Sequence, residues 1–232
     1  MIEKTLNILA TVALIIASSI ISWKFIYPQQ AAGVQQPPPA VEQIDQKIEV
    51  DAQQHTFGTG RIAVIEFTDY ECPYCKLFAQ SELSVLKRDF SNKISFYSYN
   101  FPLSIHAQAE GAARAAVCAS WQEKLGDMHD KLFSSPLSQD VYSTYAVQIG
   151  LDTKQFSSCM TTDLSQTAIN NHKKIGDFLR VQGTPSFFVG TIAGDGRTVQ
   201  LKSRVADRSK LVSEIQRLAA ISAASVRANN GR

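Results

Sequence analysis

The sequence lacks a marked excess of charge of either sign. Its 23 lysine and arginine residues are balanced by 21 aspartate and glutamate residues, which gives a formal net charge of +2, and both signs are dispersed along the chain. A basic or acidic block would indicate a nucleic acid or an acidic substrate as the partner. We therefore expect no nucleic-acid binding. We also find no internal repeat. The length of 232 residues predicts one large domain or two small ones.

Cysteine is scarce, and only two of the four cysteines, Cys72 and Cys75, lie close together in the sequence. A structural zinc site usually takes four ligands from two such pairs. Because Cys118 and Cys159 are solitary, they do not form a second pair, and we expect no metal site and no cofactor. Three interpretations of the close pair are open: two inert buried thiols, copper handling, or a redox-active dithiol.

Long apolar runs are absent except at the N-terminus, where residues 5–23 are almost wholly apolar. A helix of that length spans roughly 28 Å, close to the hydrocarbon thickness of a bilayer. The alternative is a cleaved signal peptide, but its apolar core is usually shorter, and no clear Ala-x-Ala site follows here. We therefore predict a single uncleaved transmembrane helix within residues 1–26. Since Lys4 and Lys24 flank it equally, the positive-inside rule does not orient it.

Composition and periodicity change along the rest of the chain. Proline, glutamine and alanine dominate residues 28–43 and indicate a semi-extended linker, with a small helical oligomerisation segment near 41–55 as an added alternative. Strand and helix patterns then alternate, give way to a long all-helical stretch, and resume. The predicted divisions are an anchor (1–26), a linker and lead-in (27–60), the first part of an α/β core (61–103), a helical insertion (104–180), the second part of the core (181–222) and a tail (223–232).

The core segments carry clear strand and helix signals. The insertion predicts five helices, and an Asp-Gly turn at 193–196 predicts a hairpin between the last two strands. The elements predicted for the core are strands at 62–68, 93–99, 186–189 and 198–203 and helices at 76–90 and 208–222.

The cysteine pair lies between the buried-strand pattern at 62–68 and the helical pattern at 76–90. A Cys-x-x-Cys pair at a strand-to-helix junction is typical of a thioredoxin-like redox site. There the first thiol lies at a helix N-terminus, where free N–H groups and the helix dipole favour the thiolate, which is the species that attacks disulfides. We predict Cys72 as the nucleophile, because it is nearer the helix start and more exposed, and Cys75 as the resolving thiol. Such chemistry belongs outside the reducing cytosol, which places the domain on the periplasmic or extracytoplasmic side.

Pro73 and Tyr74 are expected to tune this pair, and Glu66 is a candidate catalytic residue. Pro73, at the start of the helix, lacks an N–H donor that would be unsatisfied there in any case. Tyr74 supplies no cation, so we expect it to hold the thiolate less strongly than a histidine would. Glu66 lies in the middle of the first core strand. If that strand is central, its buried carboxyl could accept a proton from Cys75; the alternative is a residue on a solvent-exposed strand face.

The two solitary cysteines, Cys118 and Cys159, both fall in the helical insertion. They are either buried free thiols or a structural disulfide, and an extracytoplasmic location with an even number of cysteines favours the disulfide. Closing a loop of about 42 residues would stabilise the fold by roughly 4 kcal/mol in the chain-entropy model.

Three histidines, His106, His129 and His172, lie in separate segments of the insertion. We expect each to be a surface or packing residue rather than a ligand. The string Asp-Met-His-Asp at 127–130 has the composition of a metal site. Because helical spacing places Met128 in the core, we reject that interpretation.

Taken together, these motifs resemble the DsbA-like thiol–disulfide oxidoreductases of bacterial envelopes over about residues 60–220. The resemblance implies a thioredoxin-like α/β core with an all-helical insertion, here preceded by the transmembrane helix. The motifs that carry it are EFTDYECPYC at 66–75, NFPL at 100–103 with His106, MHDKLF at 128–133 and GTPSFFVG at 183–190.

The resemblance also implies roles for individual residues. In this family an acidic residue six positions before the first cysteine is a buried proton acceptor, and Glu66 holds that position. The family's cis proline matches Pro185, where a cis bond would turn the backbone of Thr184 outward to pair with an extended substrate chain. Strongly oxidising members carry Cys-Pro-His-Cys and a valine before the cis proline. Tyr74 and Thr184 are more similar to isomerase or reductase relatives.

The implied function is an envelope enzyme that forms disulfides in exported proteins and is reoxidised by a membrane quinone-linked thiol oxidase. The alternative is an isomerase or reductase of the same fold, kept reduced by a membrane reductase. A third, non-enzymatic interpretation is a tethered module that binds partners or copper. We expect the pKa of the Cys72 thiol to lie between the value of about 3.5 in DsbA and the value of about 7 in thioredoxin.

Overall fold

The computed structural model describes residues 39–230. The predicted anchor at 1–26 and the start of the linker lie outside the described residues. Within the described range, no helix is both long enough and apolar enough to cross a membrane.

A six-stranded mixed sheet forms the centre of the fold, with β3 and β4 parallel and the other neighbours antiparallel. Its spatial order is β1-β6-β5-β3-β4-β2. All seven residues of β3 are buried, because β4 and β5 flank it and helices cover its faces. The strands are β1 (Val41–Glu49), β2 (His55–Gly58), β3 (Ile62–Thr68), β4 (Ile94–Asn100), β5 (Ser186–Ile192) and β6 (Thr198–Val205).

Eight α-helices accompany the sheet in the described part of the chain. Side chains of α1, α2 and α8 pack with strand residues in one hydrophobic cluster, while the insertion helices α3 to α6 share another. The predicted α/β core with an all-helical insertion is therefore confirmed. The helices are α1 (Pro73–Gln80), α2 (Glu82–Phe90), α3 (Ala109–Ser120), α4 (Leu125–Ser134), α5 (Tyr142–Gln148), α6 (Thr153–Thr161), α7 (Asp163–Phe178) and α8 (Leu211–Asn230).

The segment before residue 60 differs from the prediction. We predicted a linker and lead-in over residues 27–60, with a small helical segment near 41–55 as the alternative, and that helix is wrong because β1 and β2 lie there. Strand β1 is an edge strand whose side chains are mostly exposed, and a bulge between Gln43 and Gln46 interrupts its alternation. Both features weaken the period-two pattern by which a strand is recognised in a sequence.

The single helix predicted at 76–90 is divided into α1 and α2. Ser81 separates them with backbone angles of φ −115° and ψ −73°. Its hydroxyl donates to the carbonyl of Leu77 and also contacts the Glu82 carboxylate. A serine hydroxyl that bonds to nearby main chain competes with helical geometry, which accounts for a break at this residue.

The insertion is held to itself by a disulfide between Cys118 of α3 and Cys159 of α6, with a Cα–Cα distance of 5.7 Å. Both residues are buried in the insertion's hydrophobic cluster. That same cluster includes Cys72 and Cys75. The cysteine pair therefore lies where the sheet domain and the insertion pack together.

Candidate functional site

Cys72 is the N-cap of α1, and Pro73 is the first helical residue. The backbone N–H of Cys72 donates to the carbonyl of Asp69 at 3.1 Å, which fixes the turn between β3 and the helix. A group at a helix N-terminus is close to unpaired N–H donors and to the positive end of the helix dipole. This position favours the thiolate of Cys72.

The Cys72 sulfur lies beside the loop that contains Pro185. The Thr184–Pro185 peptide bond is cis, and the Cys72 thiol donates to the Thr184 carbonyl at 3.2 Å. The Thr184 hydroxyl is buried and has no hydrogen-bond partner in the described part of the chain. It is therefore free to donate to the sulfur when Cys72 is ionised.

These contacts lower the pKa of the Cys72 thiol to about 5. The largest cause is a hydrogen bond from the Cys75 thiol, which outweighs the opposing effect of burial; the Thr184 hydroxyl and the backbone N–H groups of Cys75 and Tyr74 add to it. The value lies within the expected range. We predicted Cys72 to be more exposed than Cys75. The difference is slight, because Cys72 is only 4% exposed and Cys75 is fully buried.

Cys75 has the opposite properties. It is fully buried one turn into α1, and burial raises the pKa of its thiol far above the ordinary value. The hydrogen bond it gives to Cys72 and the negative charge of Glu66 raise it further. One sulfur is thus ready to attack as a thiolate while the other keeps its proton.

Glu66 lies in the middle of β3 and is completely buried. Neither of its carboxylate oxygens has a hydrogen-bond partner in the described part of the chain. Its nearest recorded basic group is Nε2 of His129, 3.8 Å from Oε2. The strand is therefore central, and the alternative of a solvent-exposed Glu66 is excluded.

His129 was expected to be a surface or packing residue, and that expectation is incomplete. It is buried, as packing predicts, but its ring lies between two carboxylates, with Nδ1 3.6 Å from Oδ1 of Asp130. Helix α4 buries several adjacent positions, so that His129 and Met128 are both enclosed. The sequence signal was the MHDKLF motif, whose histidine we did not connect to Glu66.

His106 is a second histidine whose position sequence reasoning missed. Its Nδ1 donates to Oδ2 of Asp69 at 2.8 Å, and its side chain is 17% exposed. The hydrogen bond to Asp69 is the main cause that raises the pKa of His106, and the charge of Cys72 contributes. By contrast, His172 is a packing residue, as predicted, beside Tyr99.

Apolar side chains are exposed near the cysteine pair. Tyr74 is 67% exposed, and Leu77, on the same face of α1, is also exposed. Ile105, next to His106, is exposed as well.

Across residues 39–230, no group of three or more histidine, cysteine, aspartate or glutamate side chains has the arrangement of a metal site.

Comparison with known proteins agrees with this geometry. A family model described as Thioredoxin matches residues 60–213. A putative protein-disulfide oxidoreductase of Rickettsia typhi is 22% identical over 158 residues, which are 64% of this chain and 58% of that protein. A Na(+)/H(+) antiporter NhaA 1 of Salinispora arenicola is 33% identical over 154 residues, covering 63% of this chain.

The matched region is 23% of that antiporter, so the chain spans under a quarter of the length of the first curated relatives. Among solved structures, the thiol-disulfide exchange protein alpha-DsbA2 of Wolbachia pipientis has a TM-score of 0.58 at 23% identity, covering 72% of this chain and 88% of that one. This likeness shows a shared fold. Because the family model covers more than half of the sequence, the chain belongs to the thioredoxin family, with the fold of its DsbA-like members.

Proposed function

We propose that this protein is a thiol–disulfide oxidoreductase that works through Cys72 and Cys75. The observation that carries the proposal is the asymmetry between the two sulfurs. The pKa of Cys72 is lowered to about 5, whereas burial raises the pKa of Cys75. A stable thiolate next to a buried, protonated thiol is the arrangement that a nucleophile and its resolving partner need.

The proposed reaction forms disulfides in exported proteins. A substrate thiolate attacks the Cys72 sulfur of the Cys72–Cys75 disulfide, that bond breaks, and its electron pair leaves on Cys75. A second substrate thiolate then attacks the substrate sulfur of the mixed disulfide and releases Cys72 as a thiolate. The substrate loses two electrons and the enzyme gains them, so a membrane quinone-linked thiol oxidase must take them away.

The low pKa of Cys72 supports this direction. Stabilising the thiolate stabilises the reduced enzyme, and a reduced form that is stable makes the disulfide form a stronger oxidant. A value of about 5 lies between about 3.5 for DsbA and about 7 for thioredoxin. The proposed enzyme is therefore an oxidant of intermediate strength.

An isomerase or reductase is the second candidate. It is favoured by Tyr74, which is exposed and supplies no cation to the thiolate, and by the polar Thr184 before Pro185. In this role the enzyme would be kept reduced by a membrane reductase, and Cys72 would attack wrongly paired substrate disulfides.

We further propose that the domain lies on the extracytoplasmic side of a membrane, held by an anchor at 1–26. The disulfide between Cys118 and Cys159 supports this location, because structural disulfides persist in oxidising compartments. The match to part of an antiporter also supports a redox domain that works beside a membrane.

One measurement separates the candidates: the reduction potential of the Cys72–Cys75 couple in the full chain, equilibrated with glutathione buffers. A potential closer to about −120 mV, the value of DsbA, supports the oxidase, and one closer to about −270 mV, the value of thioredoxin, supports the reductase. Oxidation of a reduced, unfolded test protein provides the activity readout, with Cys72→Ser as the inactive control. The proposal fails if the wild-type chain exchanges no disulfides, or if Cys72→Ser retains full activity.

A further inference from the structure

Cys75 must gain and lose a proton although solvent does not reach it. When the Cys72–Cys75 disulfide opens, Cys75 leaves as a thiolate in a buried site, where a negative charge is costly. Cys75 therefore takes up a proton after the disulfide opens. When the disulfide closes, Cys75 must give up this proton to attack Cys72. A proton therefore has to enter and leave the interior in every cycle.

Three acid–base side chains lead from the neighbourhood of Cys75 to the surface. Glu66, whose charge acts on Cys75, is fully buried, and its Oε2 is 3.8 Å from Nε2 of His129. The opposite ring nitrogen, Nδ1, is 3.6 Å from Oδ1 of Asp130. The side chain of Asp130 is 57% exposed. The imidazole thus has one nitrogen toward the interior and one toward solvent.

The buried members of this series have unused hydrogen-bonding capacity. Both oxygens of Glu66 and both ring nitrogens of His129 lack a hydrogen-bond partner among residues 39–230. Buried polar atoms without partners are rare in folded proteins and call for an explanation. Each gap exceeds hydrogen-bond length by a few tenths of an ångström, so small side-chain rotations close it.

We propose that His129 relays protons between Glu66 and Asp130, and through them between Cys75 and solvent. The inference rests on the proposed thiol–disulfide exchange at Cys72. His129 touches neither substrate nor a reacting sulfur, so it serves the reaction by moving the proton that Glu66 supplies or removes.

The opening step balances as follows. The substrate thiolate forms a bond to the Cys72 sulfur, the disulfide breaks, and its electron pair stays on Cys75. Glu66 gives its carboxyl proton to Cys75. The Nε2 proton of His129 passes to Glu66, while Nδ1 takes up a proton from solvent at Asp130. One proton has entered and the imidazole has changed tautomer.

The closing step runs the same path in reverse. It begins from a mixed disulfide between Cys72 and a thiol of another molecule. Cys75 gives its proton to Glu66 and attacks the Cys72 sulfur, the mixed disulfide breaks, and the other molecule leaves as a thiolate. Glu66 returns a proton to Nε2 of His129, and the proton on Nδ1 leaves at Asp130. Closing therefore restores the tautomer that opening used, so the relay needs no separate reset.

The charged and titratable groups around the imidazole fit this role. Burial lowers the pKa of His129, but the carboxylates of Asp130 and Glu66 raise it more, and the net shift is upward. Tyr70 packs edge-on against the ring, and Lys87 of α2 holds Asp130 in place at 2.7 Å.

The test uses the full chain and glutathione as the only redox partner. Opening is followed by adding reduced glutathione to the oxidised protein, and closing by adding oxidised glutathione to the reduced protein, with acid quench, thiol alkylation and mass measurement. We expect His129→Gln to slow both steps about tenfold, part of the ~10²–10⁴ that positioned proton transfer contributes. The solvent deuterium isotope effect should change with it.

His172→Gln is the matched control. His172 is a buried histidine in the same insertion, but it lies beside Asn100 and Tyr99 and has no recorded carboxylate contact. We expect its two rates to stay within about twofold of wild type. A relay changes opening and closing together, so His129→Gln should leave the equilibrium constant with glutathione within about threefold of wild type.

Asp130→Asn keeps the test decisive if His129→Gln does not fold, because Asp130 is largely exposed. We expect it to slow both steps about threefold, while Asp127→Asn, on the same helix and also exposed, leaves them unchanged. Unchanged rates in the variants of both His129 and Asp130 overturn the relay. A His129→Gln variant whose equilibrium constant with glutathione changes while its opening rate does not would overturn it too. If the wild-type chain itself does not react with glutathione, the proposed function has failed instead.

Discussion

Nδ1 of His106 lies 2.8 Å from Oδ2 of Asp69, and this contact joins two segments of chain around Cys72. Asp69 is buried, and its carboxylate also accepts from the N–H groups of Glu71 and Leu103, both at 2.8 Å. Its carbonyl accepts from the N–H of Cys72. One aspartate therefore fixes both the turn that presents the nucleophile and the imidazole that lies near it.

This pairing predicts that His106 helps to hold Cys72 as a thiolate. The Asp69 carboxylate favours the protonated imidazole, whose positive charge in turn favours a nearby thiolate. We expect His106→Gln to raise the pKa of Cys72 above about 5 and to slow its alkylation at pH 5 by roughly threefold, since partial exposure weakens the effect. The measurement is the pH dependence of thiolate absorbance and of alkylation rate.

His55→Gln is the control for this experiment. His55 is exposed on β2 and packs against Tyr97, with no recorded contact to a residue of the cysteine site. An unchanged titration of Cys72 in His106→Gln would show that the thiolate depends on the helix N-terminus, Cys75 and Thr184 alone.

A second prediction concerns Tyr74, one of the two exposed residues between the cysteines. Tyr74→His would place a titratable cation two residues after Cys72, and the exposure of the position makes the change compatible with folding. We expect Tyr74→His to lower the pKa of Cys72 and to make the couple more oxidising, by about 30 mV for each tenfold gain in thiolate stability. Equilibration with glutathione measures the potential; a more reducing couple in Tyr74→His would contradict this account, and Tyr74→Phe should leave it near the wild-type value.

The sequence was most informative where chemistry and periodicity coincide. The apolar run of β3 and the helical pattern after it flank the Cys-Pro-Tyr-Cys motif, so the strand-to-helix junction could be predicted from local residues. Strand β1 could not, because it is an exposed edge strand with a bulge, and its pairing with β6 gives no local signal.

The partners of the site residues were harder to predict for a different reason. The Asp69–His106 contact joins residues 37 positions apart, and Glu66 meets a histidine from the insertion. A single sequence shows which residues could carry charge, but the packing of separate segments decides which of them meet. His129 shows this, because helical spacing assigned Met128 to the core and gave no indication that the next residue is also enclosed, between two carboxylates.

A third prediction separates stability from redox chemistry. Replacing both Cys118 and Cys159 by alanine removes the crosslink between α3 and α6. We expect the free energy of unfolding to fall by about 2–5 kcal/mol, while disulfide exchange at Cys72 is retained in the folded protein. Urea unfolding without reductant measures the loss. The control is the double variant Cys72→Ser with Cys75→Ser, which keeps the crosslink and loses exchange. If the folded protein without the crosslink also lost exchange, the Cys118–Cys159 disulfide would have a redox role.

The fourth prediction is a dependence of stability on pH that belongs to the reduced form. The pKa of Cys72 falls from an ordinary value of 9.0 to about 5 in the folded protein, so between these values the unfolded chain binds a proton that the folded chain does not. The contribution of Cys72 to stability therefore rises with pH through this window, is fully present above about pH 9, and is lost as pH falls through about 5. In the oxidised form neither thiol of the pair is present, so this contribution is missing.

The difference in unfolding free energy between the reduced and oxidised proteins isolates this effect, because groups common to both forms cancel and the Cys75 thiol, whose pKa is raised above 9.0 by folding, stays protonated in the folded and the unfolded chain below about pH 8. We expect the reduced form to gain about 2 kcal/mol relative to the oxidised form between pH 5 and pH 7.5, after a discount for solvent screening of the thiolate. Urea unfolding of both forms at the two pH values provides the measurement, and reduced Cys72→Ser should show no such gain. A difference that is constant across this range would mean that Cys72 is not held as a thiolate, and the proposed direction of electron flow would lose its main support.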